Sequence, residues 1–397
     1  MRLSNAIWPI VILTALVLSG CGAAATTGSG PASPQSSQGT AGPPYPGSTV
    51  SGFQAVDLTW ISAQQGWALG TAAGCAGQRC ATVLETTDGG LHWTTVADLH
   101  DCLLEAAPVG CPAGVPQVSQ LRFANADTGY AYAADGGPYS LTTNGGLSWQ
   151  VQSGRQASAV KVGYGTAIRI SFSHAGCPGP CDWSIDRAPL GQNSWQPIYT
   201  PPATFNHGQV VLLRQGPSDI YAAFLGNLAG GAAGQEAAQL VVSTNGGSSW
   251  VTRPDPCVTA SPRYGAADFA AAPAGLLVVL CRTAGGARAG IEVSTNAGAS
   301  FGPLEPLPRL REGVYSEIAA ASSQSIVVAA PGVELLVSSS GGRHWQVAAA
   351  PKTRPSASTP TSTFLGFESP LIGRWVGPPN TLWTTTDGGL TWTARKF

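Results

Sequence analysis

The sequence predicts an all-β chain closed as a single seven-bladed β-propeller with four-stranded blades, and three observations lead there. One eight-residue turn pattern recurs along the chain at nearly even spacing. Each copy follows two or three short strand-like runs, so that every unit offers four strands. Gly (51 residues) and Pro (31) accompany 43% hydrophobic and only 10% charged residues, the balance of many short apolar strands punctuated by turns.

The pattern reads Ser/Thr-x-Asp/Asn-Gly-Gly-x-x-Trp. Its copies are built on Asp88, Gly90 and Trp93; on Asn144, Gly146 and Trp149; on Asn245, Gly247 and Trp250; on Asn296, Gly298 and Phe301; on Ser340, Gly342 and Trp345; and on Asp387, Gly389 and Trp392. Two copies are degraded: Ala297 and Phe301 depart from the pattern in one, and Ser340 replaces the acid or amide in another. The chemistry is that of a β-hairpin turn. The Asp or Asn oxygen folds back onto the following amides, Gly supplies positive φ at no steric cost, and the Ser/Thr hydroxyl adds a local bond. The Trp then starts the outgoing strand and packs over the turn.

Upstream of each turn lies an incoming strand: residues 81–85, 238–242 and 333–337 are examples. Further upstream, a strand and a short turn lead to Gly-aromatic-Ala-aliphatic, as in residues 56–58 before Gly66-Trp67-Ala68-Leu69 and residues 121–123 before Gly129-Tyr130-Ala131-Tyr132. The aromatic anchors recur about every 50 residues, the period of a blade, except for a doubled gap between Trp149 and Trp250. Inside that gap Ile185 to Trp195 has strand, turn and Trp in register, giving seven units. Such a ring leaves only short sheet edges. Two stacked sandwiches, the competing all-β arrangement, do not explain the even spacing.

The N-terminus is read separately. Arg2, an apolar stretch from Ile7 to Leu18 and then Leu18-Ser19-Gly20-Cys21 read as a lipoprotein signal peptide over residues 1–20, with Cys21 as the lipidated residue. An ordinary signal peptide or an uncleaved anchor is the alternative, but the apolar run is short of the roughly 20 residues that span a bilayer. Two acyl chains on Cys21 suffice for stable membrane anchoring. Residues 21–51 then form a Gly/Ser/Pro/Ala tether reaching on the order of 30 Å, and residues 52–397 form the propeller. The expected location is extracytoplasmic, on the outer face of the cell membrane.

Gly-Trp-Ala-Leu-Gly at 66–70 followed by Thr-Thr-Asp-Gly-Gly-x-x-Trp at 86–93 resembles the BNR or Asp-box repeat propellers, most of all the photosystem II assembly-factor-like propellers and their bacterial relatives. The resemblance covers residues 54–397. It implies that the box lies on the hairpin between the third and fourth strands, away from the ligand face, so that Asp88, Asn144, Asn245 and Asp387 serve turn chemistry. Asp boxes occur in sialidases, xyloglucanases, sortilin-type receptors and assembly factors alike, so the resemblance implies a fold and not one activity.

Apart from Cys21 the cysteines are Cys75, Cys80, Cys102, Cys111, Cys177, Cys181, Cys257 and Cys281, an even number that in an exported chain implies disulfides. Proximity favours 75 with 80, 102 with 111, 177 with 181 and 257 with 281. Zinc is the rival, but no Cys-x-x-Cys or paired-His spacing supports it, and no metal or other cofactor is expected. On the blade scheme these residues fall between second and third strands or in the links between units, so one cross-linked face is expected opposite the boxes. Candidate recognition residues on that face are Asp98, His100, Asp101 and Glu105 in the first link, Arg79, then His174, Asp182 and Trp183, and Arg282 and Arg288. Each also fits a plain solvated loop position.

Net charge is −1, from 20 basic and 21 acidic residues without a Lys/Arg run, which argues against nucleic acid. The favoured function is a non-catalytic module, monomeric and held at the membrane, that binds an envelope protein or surface glycan. The alternative is a glycoside hydrolase of sialidase or xyloglucanase type. An exo-sialidase needs an arginine clamp, a Tyr–Glu nucleophile and an Asp acid/base; the Arg-Ile-Pro-like start of the first strand is absent from residues 54–60, and inner strands carry few acids beyond Asp57, Asp268 and Glu317. No Gly-x-Ser-x-Gly elbow suggests a serine hydrolase either.

Overall fold

A computed structural model describes residues 52–72, 80–103, 116–134, 136–172, 182–201, 210–225, 239–261, 263–310, 313–330, 334–349, 364–377 and 380–397. Cys21 and the tether therefore lie outside the described residues, as do Cys75, Arg79, Glu105, Cys111, His174, Cys177 and Cys181. No described helix is long and apolar enough to cross a membrane.

The described residues are almost wholly β. The first sheet holds β1 (Gln54–Trp60), β2 (Gly66–Thr71), β3 (Cys80–Thr86) and β4 (Thr94–Leu103), with the two-residue β5 (Gln117–Val118) added parallel to β4. The second runs β6 (Gln120–Phe123), β7 (Gly129–Tyr132), β8 (Gly137–Thr142), β9 (Gln150–Gly163), β10 (Thr166–Phe172), β11 (Trp183–Pro189) and β12 (Gln196–Tyr199). Four-stranded antiparallel sheets follow. They are β13 (Val210–Gln215) to β16 (Val251–Pro254) with β14 (Asp219–Phe224) and β15 (Gln239–Ser243); then β17 (Tyr264–Ala272), β18 (Leu276–Thr283), β19 (Ala289–Ser294) and β20 (Glu305–Pro306). The last two are β21 (Glu317–Ala320), β22 (Ile326–Ala330), β23 (Glu334–Ser338) and β24 (Gln346–Ala349), and β25 (Leu365–Phe367), β26 (Gly373–Gly377), β27 (Thr381–Thr385) and β28 (Thr393–Lys396). A five-residue helix, α1 (Pro256–Ala260), links β16 to β17.

The sequence units map onto these strands with one departure. The second and third units do not form separate sheets: β9 is 14 residues long, pairing with β8 through its first half and with β10 through its second. Nothing between Arg155 and Val162 supplies a turn, so the strand passes from one unit into the next.

Each Gly-aromatic motif has a steric reason. Gly66, Gly129 and Gly373 begin second strands opposite Trp60, Phe123 and Phe367 on the first. A Cβ on any of the three would sit within 2.5–2.7 Å of the facing ring. An aromatic ring covering a cross-strand glycine also pins the register.

The core lies between successive sheets. Trp67 of β2 stacks on Phe123 at 4.0 Å, and Trp183 of β11 on Phe224 at 3.7 Å. The last sheet packs on the first, where Val376 and Leu382 join Phe53, Leu58 and Leu84 in one cluster and Phe397 leans on Phe53 and Trp93. The Asn380 side chain fastens the two ends: its Oδ1 accepts from the Ala55 amide at 2.7 Å and its Nδ2 donates to the Phe53 carbonyl. The sheets thus close on themselves.

Candidate functional site

The repeated turns set which face is which. In all six boxes the position-1 hydroxyl accepts from the position-5 amide at 2.8–3.0 Å, from Gly90 to Thr86 in the first copy through Gly389 to Thr385 in the last. The position-3 oxygen accepts from the position-7 amide at 2.9–3.0 Å, including Ser340 Oγ, which receives His344 N–H in place of a carboxylate. The position-4 amide donates at 2.8–2.9 Å to the turn between the first and second strands of its own sheet, as from Gly89 to the Gln64 carbonyl and from Gly388 to that of Leu371. Both short turns of every boxed unit therefore share one face. The Asp, Asn and Ser side chains nominated as structural are engaged in the turn itself.

The other connections leave from the opposite face, some as short as Gly377 to Thr381 and others much longer. The longest join strand ends on that side: Phe224 to Gln239, Leu103 to Gln117 and Ala349 to Leu365. The disulfide from Cys257 in α1 to Cys281 near the end of β18 lies there too.

Several nominated residues are placed differently from expectation. Asp98, His100, Asp101 and Cys102 are not in a link but in the backbone of β4. Cys80 opens β3, and the register sets it opposite Cys102. Trp183 is fully buried against Phe224 and belongs to the core, so its ring is not presented to a ligand. Asp182 is exposed and pairs with Arg155 at 3.5 Å, Arg288 is exposed, and Arg282 is half-buried with a guanidinium N–H directed at the Tyr315 carbonyl.

Near the axis the first strands bring together charges that are remote in sequence. At a bulge in β1, Asp57 Oδ2 accepts from the Leu121 amide at 2.6 Å and from Arg122 at 2.5 Å. At a bulge in β17, Asp268 accepts from the Phe269 amide at 2.8 Å and the Ile318 amide at 3.0 Å. In both cases the bulge re-aims a carboxylate so that it caps a backbone N–H of the next sheet's inner strand. Burial raises Asp57 against the opposing pull of Arg122, and it pushes Asp268 up to about 7. Lys161 on β9 is brought down to about 8, first by burial and then by repulsion from Arg122, while Asp57 and Asp268 oppose the shift. Arg122 and Lys161 were not nominated from sequence; the rarity of Lys in this chain, with only Lys352 and Lys396 besides, was the available signal.

A second buried polar group is structural. Asp186 accepts from Arg169 at 2.9 Å, Ser171 at 2.7 Å and Ser184 at 2.5 Å, and the Arg169 guanidinium lies 4.3 Å from the Trp195 ring. Among the described residues no group of His, Cys, Asp and Glu is placed to hold a metal ion.

Sheets of this order, closing last on first around capped inner strands, define a β-propeller fold. Its likenesses are to solved structures: "YCF48 bound to D1 peptide" aligns over 85% of this chain and 92% of its own at TM-score 0.54 and 18% identity. YCF48 from Cyanidioschyzon merolae aligns over 84% and 94% at TM-score 0.50 and 16% identity. A prolyl endopeptidase structure aligns over 87% of this chain and 50% of its own at TM-score 0.56 and 11% identity. At these identities the likeness is one of fold. Neither a protein-family model nor a curated protein matches the sequence.

Proposed function

We propose that this chain is an extracytoplasmic binding module, tethered to the membrane through a lipidated Cys21 and closed as seven blades, that engages an envelope protein or surface glycan without catalysis. The seven-stranded sheet is read as two blades sharing β9. The observation that carries the functional reading is the contrast between the two faces. One consists of short turns whose polar groups are satisfied internally; the other bears every long connection, and surface loops on a rigid scaffold are where recognition concentrates.

The axial acids favour binding over hydrolysis. Glycoside cleavage needs two carboxyl groups free to act on substrate, whereas Asp57 and Asp268 each hold the backbone of a neighbouring sheet. A propeller of similar fold has been solved with a peptide bound, which makes protein recognition the first partner class to test.

The test is affinity capture of envelope proteins and surface glycans by the full chain in detergent. Asp182→Lys with Arg288→Glu alters the long-connection face; Leu91→Ser with Leu390→Ser alters exposed positions on the turn face. A stoichiometric partner whose recovery drops at least tenfold with the first pair and is kept with the second is the expected result. Loss with the second pair only would move the binding face, and turnover of a fluorogenic glycoside by the purified chain would replace this reading with the hydrolase.

A further inference from the structure

We propose that Tyr164 is a stacking platform for a neutral pyranose ring of a surface saccharide, presented on the turn face by the unit that lacks a box. This goes beyond the binding-module reading, because it sets a second contact on the face opposite the long connections and names its ligand.

The chain turns from β9 into β10 in two residues, since Gly163 pairs with Thr166. Tyr164 and Gly165 both take positive φ, 52° and 74°, as in a type I′ turn, whose first central position ordinarily goes to Asn, Asp or Gly. The other described non-glycine residues at positive φ are Ala274, Ala297 and Asn380, all small, so Tyr164 alone among them carries a ring there. A bulky side chain in that region is an outlier. Such strain persists only where the surroundings hold it, and it concentrates at functional positions. Here the hold comes from Arg214 on β13, which donates to the Gly163 carbonyl at 2.9 Å, the Thr166 carbonyl at 3.1 Å and Thr166 Oγ1 at 3.0 Å.

The ring held out in this way is 64% exposed, more than any other large hydrophobic side chain described. The Arg214 guanidinium carbon lies 5.1 Å from its centroid and occupies one face. A Cβ built on Gly163, Gly165 or Gly216 would meet nothing within 4 Å, so no neighbour crowds the other face. That setting selects the ligand. A cation would be repelled by Arg214, whose described partners are all neutral. A protein anchor would sit at the centre of a packed, desolvated patch, yet the adjoining turn is polar. Its Leu190 amide donates to the Gly165 carbonyl at 3.3 Å, and Gln192, Asn193 and Ser194 beyond it are exposed. The Tyr130 hydroxyl steadies this turn by accepting the Gly191 amide at 3.0 Å, while the Gln192 and Ser194 side chains meet each other at 3.2 Å rather than tying the backbone as box side chains do. A lone ring beside amides and hydroxyls suits a pyranose, whose C–H face stacks on the ring while its hydroxyls exchange hydrogen bonds with the polar turn.

The test uses the full chain in detergent with 3-fluorotyrosine at its nine tyrosines, and Tyr164→Phe identifies the resonance. Chitotetraose, cellotetraose and maltotetraose are titrated in turn, with choline chloride as the cationic control. At least one tetrasaccharide should shift the Tyr164 signal saturably while the other tyrosine signals stay in place. Tyr164→Gly, which the left-handed position accepts without strain, should weaken that binding by about tenfold or more in calorimetry without lowering Tm, and Tyr164→Trp should keep it within about threefold. No saturable shift with any of the three, an equal shift with choline, or unchanged affinity in Tyr164→Gly overturns the proposal. So does loss of a captured envelope protein in Tyr164→Gly with no saccharide shift in the parent chain, which would make the ring a protein anchor. Partner capture on the long-connection face depends on other residues, so the two readings fail separately.

Discussion

In the first box Asp88 sits near the surface, and the slight burial that would raise its carboxyl is outweighed by hydrogen bonds from the His92 amide and ring, the Thr86 hydroxyl and the Leu91 amide, which hold it down to about 2. Asp387 in the last box is lowered in the same way, with Thr391 as its main donor. A depressed carboxyl stabilises the fold fully above its unfolded value near 3.8, and this contribution is lost as pH falls through the folded value. Both acids flank the seam where the last sheet meets the first, so acid should loosen the ring there. Asp88→Asn with Asp387→Asn, which copies the amide of the neighbouring boxes, should flatten the fall in Tm between pH 4 and 2 while leaving Tm at pH 7 nearly unchanged. A fall as steep as in the parent chain would assign acid sensitivity elsewhere. Ala297 makes a second residue-scale case, because it occupies at φ 55° the left-handed position that glycine fills in the other five boxes. The backbone strain is about 1–2 kcal/mol, partly offset by the freedom a glycine gives the unfolded chain. Ala297→Gly should therefore stabilise by about 0.5–1 kcal/mol in urea unfolding.

Among elements, the short turn between β26 and β27 has an unusual duty, since Asn380 there holds the N-terminal strand through Ala55 and Phe53 and does so at φ 64°, a conformation that Asn tolerates better than Ala. Asn380→Ala removes both bonds and adds strain, a loss of about 1–3 kcal/mol. Its signature should be early hydrogen exchange in β1 ahead of the other inner strands; uniform exchange would mean that the ends are held by packing alone. The boxes and most strands were legible in sequence because a tight turn demands particular residues at fixed offsets, and even the unit lacking a box showed itself through Trp195. The fusion of two units through β9 was less visible, since it depends on a turn that is missing rather than one that is present. The placement of Asp98, His100 and Asp101 misled for a related reason: a polar run reads as a loop, yet here its backbone continues the strand β4. The axial charges could not be seen as a group at all. Asp57, Arg122, Lys161 and Asp268 lie on four separate inner strands, and only closure of the ring makes them neighbours.

At the scale of the whole molecule, the turn face and the connection face should differ in how they accept added chain. A box turn ties three or four backbone amides to two side chains and seats an aromatic ring, as in Trp392, whose indole N–H donates to the Gly389 carbonyl at 2.8 Å. It also serves its neighbour: the carbonyls of Gly89, Gly246 and Gly388 accept from Arg374, Arg187 and Ser325, each on the preceding unit. Opening one box therefore breaks contacts within a unit and between two. Connections on the other face carry few such obligations, and the exposed stretch from Thr283 to Arg288 is closed by bonds between its own ends. Six Gly/Ser residues inserted between Gly285 and Gly286 should lower Tm by no more than about 2 °C, because lengthening a surface loop costs little chain entropy. The same insert between Leu91 and His92 separates Asp88 from the His92 amide and displaces Trp93 from its ring contacts with Trp60 and Phe397. With several hydrogen bonds at about 1 kcal/mol each and part of an aromatic cluster lost, Tm should fall by roughly 5 °C or more. Equal falls for the two inserts would show that the faces are mechanically alike, and the case for recognition on the long-connection side would lose its footing.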